Sequence, residues 1–377
     1  MANIYLDYAA TSPLLPEVKT VMQQVMAQQA TGTLGNASSL HSAGHQAHAL
    51  IEEARYKLAR LVGAEPDEII FTSGGSEANN TVMEIFRGQR IAVSAIEHPS
   101  VLEAAKARTK NLQILPVDQW GKVTELTDAD LTSVMLVNNE IGTLQDIGAL
   151  VKKHQQGLFH TDATQALGKL HLDVKELGVD YATFSAHKIG GPLGVGALYV
   201  RKGAPYHALI VGGAQENRRR AGTSNVMAIV GFGEAADWCW QNWSCQKYQA
   251  VRQLRDNFAK AILQQVPYSS LNTPLDDSAP HILNVSFQAA EGESIQLYLD
   301  AEEIEVSTGS ACASGSLEPS HVIMATRHDA EVAHSSVRFS LGLDTTQDEL
   351  TRTLQVLKQV VTRLQGISTV KVGEYHG

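Results

Sequence analysis

Cysteine is scarce in this 377-residue chain, which has only Cys239, Cys245 and Cys312. A sparse, odd set excludes a disulfide framework and points to a reducing compartment, here the cytoplasm. Long apolar runs are missing too. No stretch of about 18 apolar residues occurs, so no membrane span is expected. The opening MANIYLDYAATSPLLPEV lacks the basic start and apolar core of a signal peptide. Blocks of like charge are also absent. With a net charge of −10, the chain offers no basic face for direct nucleic-acid contact or an anionic membrane. Internal repeats are missing as well. Glycine-rich turns do occur, but no Gly-Lys-Ser/Thr follows TSGG, which excludes a Walker loop. The stretch GGPLGVG precedes a strand rather than opening a helix, so it is no dinucleotide fingerprint.

What is present fits a globular protein of about two domains, with 44% hydrophobic and 19% charged residues. From about residue 50 to 230, short β-rich runs alternate with turns and helical periodicity. The runs are Glu68–Phe71, Arg90–Ser94, Ser133–Val137, Gly157–His160, Tyr181–Phe184 and Val195–Val200. This alternation predicts an α/β domain with a mostly parallel sheet covered on both faces. After about Gly233 the pattern changes. Apolar residues Val251, Leu254, Phe258 and Ile262 recur at helical spacing and predict a helix from about Ser244 to Gln265. HILNVSF and VRFSL then read as strands, and a closing helix is expected near Asp348–Leu364. Residues 14–246 are therefore expected to form the large domain. Residues 247–377, with 1–13 packed on them, are expected to form a smaller α+β domain.

In an open parallel sheet, ligands bind beyond the carboxyl ends of the strands. The residues that follow the predicted strands are TSGGSEANN, AIEHPS, NNE, TDATQ and SAHK. They gather His98, Asn139, Asp162, Gln165, Ser185, His187 and Lys188. Turn chemistry accounts for scattered Gly, Asn and Asp, but not for His, Asp-x-x-Gln and Ser-x-His-Lys together. Gly75 and Ser76 open a helix, where free N–H groups and the helix dipole suit a phosphate. They equally suit a plain serine cap, with Glu77 helping the dipole. Asp162 at a buried strand end needs a cation or donors, and a protonated pyridine nitrogen would serve. It would also serve as a helix cap. Lys188, desolvated among glycines, would be more often a free amine and hence nucleophilic. Any single lysine, by default, sits in a surface loop. Taken together, an amine, an acid, a phosphate cup and a stacking ring are what pyridoxal phosphate requires. Cys239, within WCW, reads as core packing.

Eleven stretches carry a resemblance beyond this reading: YLDYAAT, GNASSLH, IIFTSGGSEANN, EHPSVL, VNNEIGTLQ, HTDATQALGK, SAHKIGGPLGVGALYV, RRAGTSN, PHILNVSF, VSTGSACASGSLEPSHV and AHSSVRFSLG. They span residues 5–342, nearly the whole chain. The sequence resembles the cysteine desulfurases of the NifS/IscS type, fold-type I pyridoxal-phosphate enzymes related to class V aminotransferases. The resemblance implies a large domain with a mostly parallel seven-stranded sheet plus a smaller α+β domain. It also implies that Lys188 carries the cofactor and Asp162 pairs with the pyridine nitrogen. Gln165 contacts the ring hydroxyl, and His98 stacks on the ring and moves protons. Gly75, Ser76, Ser185 and His187 hold the phosphate, with Thr223 reaching in from a second subunit of a homodimer. Asn139, Arg338 and Asn36 bind the substrate carboxylate, for which the Arg338 fork is suited.

Cys312 lies in STGSACASGS, a run of small residues suited to a mobile carrier loop. The resemblance makes it the nucleophile. Its thiolate takes sulfur from L-cysteine, L-alanine leaves, and a persulfide remains for a protein acceptor. Some base must make the thiolate, and His98 is the candidate. The sequence departs from the family pattern at Ile189 and Leu193, where an aromatic residue and a second lysine are common. It departs again at Gly75-Ser76, where Ala-Thr is common. It ends at VKVGEYHG, short of the extension through which some relatives dock an iron–sulfur scaffold, which leaves a tRNA-thiolation enzyme as another acceptor. His41, His45 and His48 fall on one helix face at a spacing that suits zinc. Only His41 matches the family, and no cysteine is near, so a rim helix is expected and no metal. The competing activities are a selenocysteine lyase and a class V aminotransferase. The latter needs no loop cysteine.

Overall fold

The computed structural model describes residues 3–154, 156–242, 245–309 and 318–368. Cys312 lies outside the described residues. Twelve strands are described. They are β1 Ile4–Tyr5, β2 Ile69–Thr72, β3 Ile91–Ser94, β4 Leu112–Leu115, β5 Leu131–Ser133 and β6 Leu158–Asp162. After these come β7 Tyr181–Ser185, β8 Gly196–Val200, β9 Ser269–Leu271, β10 Ile282–Phe287, β11 Ile304–Glu305 and β12 Ser336–Ser340.

Seven of them form one sheet in the order β2-β8-β7-β6-β5-β3-β4. The ladders from β7 through β6, β5 and β3 to β4 are all parallel. Only β8 runs against its two neighbours, β2 and β7. The α/β class and the mostly parallel seven-stranded sheet are as expected. Strands β2, β3, β7 and β8 are buried along their whole length, as strands covered on both faces must be. Edge strand β4 exposes Gln113 and Ile114. Because β8 reverses direction twice over, β2, β3, β5, β6 and β7 all end at one edge. The polar groups that follow them are therefore neighbours.

One expected strand is displaced. Ser133–Val137 was the apolar run, but β5 covers Leu131–Ser133. Its partner β3 ends at Ser94, and from there the Glu97 carboxylate takes the Met135 N–H at 2.7 Å. On the other side the pairing continues, with Val134 and Leu136 N–H donating to His160 and Asp162 carbonyls.

Twelve α-helices are described, and the first eight are labelled here. They are α1 Pro16–Ala30, α2 Ser42–Val62, α3 Gly75–Ile85, α4 Pro99–Arg108, α5 Ile147–Lys153 and α6 Val174–Leu177. Next come α7 Val226–Asn242 and α8 Cys245–Gln265, the latter close to its predicted bounds. Helices α2 and α7 pack closely because Gly233 has no side chain. A Cβ there would lie 2.5 Å from Ala54 Cα.

A second core lies apart from this sheet. Val251, Phe258 and Ile262 of α8 pack with Leu283, Val285 and Phe287 of β10 and with Phe339 of β12. Leu354, Leu357 and Val361, from the closing helix Gln347–Ile367, complete it. That helix starts with a capping box between Thr346 and Glu349. Ile4 and Leu6 from the other end of the chain enter the same core, and β1 pairs in parallel with β11.

Candidate active site

The strand ends at the shared edge each deliver one group. Helix α3 starts directly after β2, and its N-cap, Gly74, has no side chain to satisfy the first-turn N–H groups. Gly75 is bare toward the sheet. A Cβ there would sit 3.4 Å from Thr164 Oγ1 and 3.8 Å from Ser185 Cβ. Gly196 of β8 lies against this same turn, where a Cβ would meet Gly74 backbone at 2.6 Å. The glycines after Lys188 also meet protein. A Cβ at Gly190, where φ is +75°, would strike Leu15, and one at Gly191 would strike the Ala186 carbonyl.

Asp162 ends β6 and is buried. Its carboxylate accepts the Asn79 amide at 2.8 Å and the Thr164 N–H at 3.0 Å. Both oxygens thus have donors, as a buried charge requires. His98 caps α4, with Nδ1 accepting the Ser100 N–H at 3.1 Å. Burial lowers its pKa, Asp162 opposes that, and Lys188 adds to it.

Lys188 stands on the short 3-10 turn after β7, with Ser185 as its N-cap. The ammonium donates to the carbonyls of Ala9 and Ala10 at 2.5 and 2.7 Å. Its own carbonyl accepts from Ser12 Oγ and Lys169 Nζ. The N-terminal segment thus threads across the lysine. His187 meets Thr11 Oγ1 at 3.2 Å, and burial pushes it down to about 4, with Lys188 and Lys169 adding to the shift. Gln165 donates to the same Ala9 carbonyl at 2.9 Å.

Arg338 of β12 is buried. One arm of its fork donates to Asp7 at 2.7 Å and the other to the Asn139 carbonyl at 2.8 Å. Its Nε, and the Asn139 Oδ1, are buried with no partner among the described residues. Asn36 is exposed, and its side chain accepts the Ser38 N–H at 2.9 Å. No contact joins it to Arg338 among the described residues. Thr223 is also exposed, in a groove of about 240 Å³ shared with Thr72, Ser73, Gly194 and Arg220. His41 caps α2 and accepts the Gly44 N–H. No metal-binding cluster forms among the described residues.

With this geometry in place, relatives can be compared. Residues 4–353 match the family described as aminotransferase class-V. The chain belongs to that family. The cysteine desulfurase IscS of Dictyoglomus turgidum is 44% identical, over 98% of this chain and 97% of that protein. A solved NifS-like protein superposes with a TM-score of 0.86 at 34% identity, over 96% of this chain and all of that one. The solved structure titled SspA in complex with cysteine gives 0.76 at 30% identity, over 90% of this chain and 98% of that one.

Class V enzymes use pyridoxal phosphate, and the residues present fit it. The uncapped start of α3 and the bare Gly75 leave room and donors for a phosphate. Thr164 Oγ1, beside Gly75, is a buried polar atom without a partner among the described residues. Asp162 is the one carboxylate among the predicted site residues.

Four residues in contact with this group were not singled out from sequence: Asp7, Asn79, Ser100 and Lys169. Lys169 is the most unusual. It is buried, donates to the Lys188 carbonyl at 2.8 Å, and is pushed down to about 7 by burial and then by Lys188. A lysine closing the apolar stretch ATQALGK was the available signal.

Proposed function

We propose that this chain is a pyridoxal-phosphate-dependent cysteine desulfurase, which takes L-cysteine to L-alanine and leaves a persulfide on Cys312. The observation that carries this reading is the meeting of Asp162, His98 and Lys188 at one sheet edge, in a chain 44% identical to a cysteine desulfurase.

When bound, pyridoxal phosphate provides an electron sink for charge leaving the amino acid's Cα. Asp162 holds a proton on the ring nitrogen. Lys188 carries the cofactor and moves the α-proton. Gly75, Ser76, Ser185 and His187 take the phosphate, and Gln165 meets the ring hydroxyl. Arg338, Asn139 and Asn36 take the substrate carboxylate. The Arg338 Nε supports that role, since it is a buried donor with no acceptor among the described residues.

At Cys312 an S–S bond forms as the substrate's Cβ–S bond breaks. Cβ takes up a proton. A thiol and L-cysteine become a persulfide and L-alanine, so no outside oxidant or reductant is needed.

The enzyme works as a homodimer, with Thr223 serving the partner's phosphate site. Support comes from Leu193 and Val211, large apolar side chains 72% and 81% exposed. Leu193 adjoins Gly194, which lines the Thr223 groove. The persulfide passes to a protein acceptor, a tRNA-thiolation enzyme or an iron–sulfur scaffold, in the cytoplasm. Among the described residues no helix is long and apolar enough to cross a membrane.

The test is alanine and sulfide from L-cysteine with a reductant. Wild type is expected to give equal amounts. Cys312→Ala is expected to keep cofactor absorbance and lose alanine. Undiminished alanine from the variant overturns the persulfide route.

A further inference from the structure

Asn79 lies on the inner face of α3 and is 1% exposed. Its amide nitrogen is 2.8 Å from Asp162 Oδ2 and 2.9 Å from Ser100 Oγ. An amide NH₂ has two hydrogens, and both are used here. Ser100 Oγ therefore accepts from Asn79, and its single hydrogen is left for His98 Nδ1, 2.8 Å away. The Ser100 backbone N–H also points at Nδ1, at 3.1 Å. A backbone N–H only donates, so Nδ1 must carry a lone pair. The neutral ring then has its proton on Nε2.

The direction of this chain is set at its far end. Turning the Asn79 amide over would put Oδ1 against the Asp162 carboxylate, two acceptors in contact. The present orientation leaves Oδ1 buried without a partner among the described residues. Such an orphan is costly, and it is the Asp162 carboxylate that holds the amide in this orientation.

We infer that Asn79 is a positioning residue for the desulfuration. Through Ser100 it ties the tautomer of His98 to the ionised Asp162, so that His98 presents an Nε2–H donor to the reacting atoms and not a base. This rests on the reading of Asp162 and His98 as cofactor neighbours in a desulfurase. It follows that His98 is no base for the Cys312 thiol while Asp162 is ionised. Protonating Nδ1 would break the Ser100 N–H bond and reverse the chain. Burial, which keeps the ring neutral, works in the same sense.

The test uses holoenzyme, with Asn79→Leu to cut the chain at the amide and Ser100→Ala as the milder cut. The first readout is a long-range proton–nitrogen spectrum of histidine-labelled protein. The His98 signals are assigned by their loss in His98→Gln. Wild type is expected to show the Nε2–H form, and Asn79→Leu a mixture with the other tautomer or the imidazolium. The second readout is the pH profile of alanine formation. Asn79→Leu is expected to lower kcat about tenfold or more with KM nearly unchanged. Its acid limb is expected to move up by about one pH unit as the ring becomes easier to protonate. Ser100→Ala keeps its backbone N–H and is expected to shift the limb less. A wild-type Nδ1–H tautomer overturns the inference, as do a tautomer and pH profile unmoved in both variants. The spectrum needs no turnover. A holoenzyme that makes no alanine, yet shows the Nε2–H form and loses it in Asn79→Leu, supports this inference and overturns the desulfurase reading.

Discussion

Gly196→Ala is expected to weaken cofactor binding without touching any group that bonds to the cofactor. A Cβ at this position meets Gly74 C at 2.6 Å, Gly74 Cα at 2.7 Å and the Phe184 carbonyl at 2.7 Å. All three are backbone atoms, so no side chain can swing aside. Strand β8 is paired on both sides, with β2 and β7, and resists displacement. Gly74 lies past the end of β2, in the turn that opens α3, and is the part that gives way. Overpacking of one methyl costs about 1–3 kcal/mol. If the turn bears this, the dissociation constant for pyridoxal phosphate rises about 5- to 150-fold, at about 1.4 kcal/mol per tenfold. Gly203→Ala is the control, away from this turn and from the Thr223 groove. Its Cβ meets nothing within 4 Å, but φ is +86°. It is expected to lose about 1 kcal/mol of stability and no cofactor affinity. The assay is absorbance titration of apo-enzyme with pyridoxal phosphate. Equal affinities for Gly196→Ala and wild type refute the reasoning. So does a loss in Gly203→Ala as large as in Gly196→Ala.

Two further outcomes are expected. Arg338→Lys replaces a fork bonded at two places by a point charge that cannot hold both Asp7 and the Asn139 carbonyl. Loss of about 2–3 kcal/mol is expected in kcat/KM for L-cysteine, mostly through KM, and an unchanged KM refutes the carboxylate role. His160, buried between Ser133 and Thr183, is pushed by burial from 6.5 to about 4. Between those values the unfolded ring takes a proton and the folded one does not, so stability falls as pH drops through this window. The slope is at most about 1.4 kcal/mol per pH unit. His160→Gln is expected to give melting temperatures that fall less steeply from pH 6.5 to 4. His187, also pushed to about 4, titrates in both proteins. Parallel curves refute the assignment.

The sheet was legible because burial on both faces leaves unbroken apolar runs, and the polar strand ends stand out against them. Asp162 and Lys188 were legible because a lone charge beside an apolar run needs a reason. The end of β5 at Ser133 was not legible. It depends on a glutamate carboxylate 38 residues upstream that ends the ladder. Asn79 and Ser100 were hidden for another reason. They are neutral and common at helix starts, and only their distances show that every hydrogen in the chain from Asp162 to His98 is assigned. Asp7 lay inside a quoted stretch, but its partner Arg338 is 331 residues away. No local pattern reports a pairing of that span.

The same span bears on how the protein is made. The Ala9 and Ala10 carbonyls that hold Lys188 belong to a segment whose preceding residues pair with β11 and pack in the core built on β10 and β12. Residues 4–10 must therefore wait for residues near 304 and 340 before they have a place to settle. Strands β2 to β8 can assemble long before that. The lysine site closes only when residues near 340 arrive. Acquisition of cofactor during synthesis thus marks the arrival of residues near 340 rather than a folded sheet.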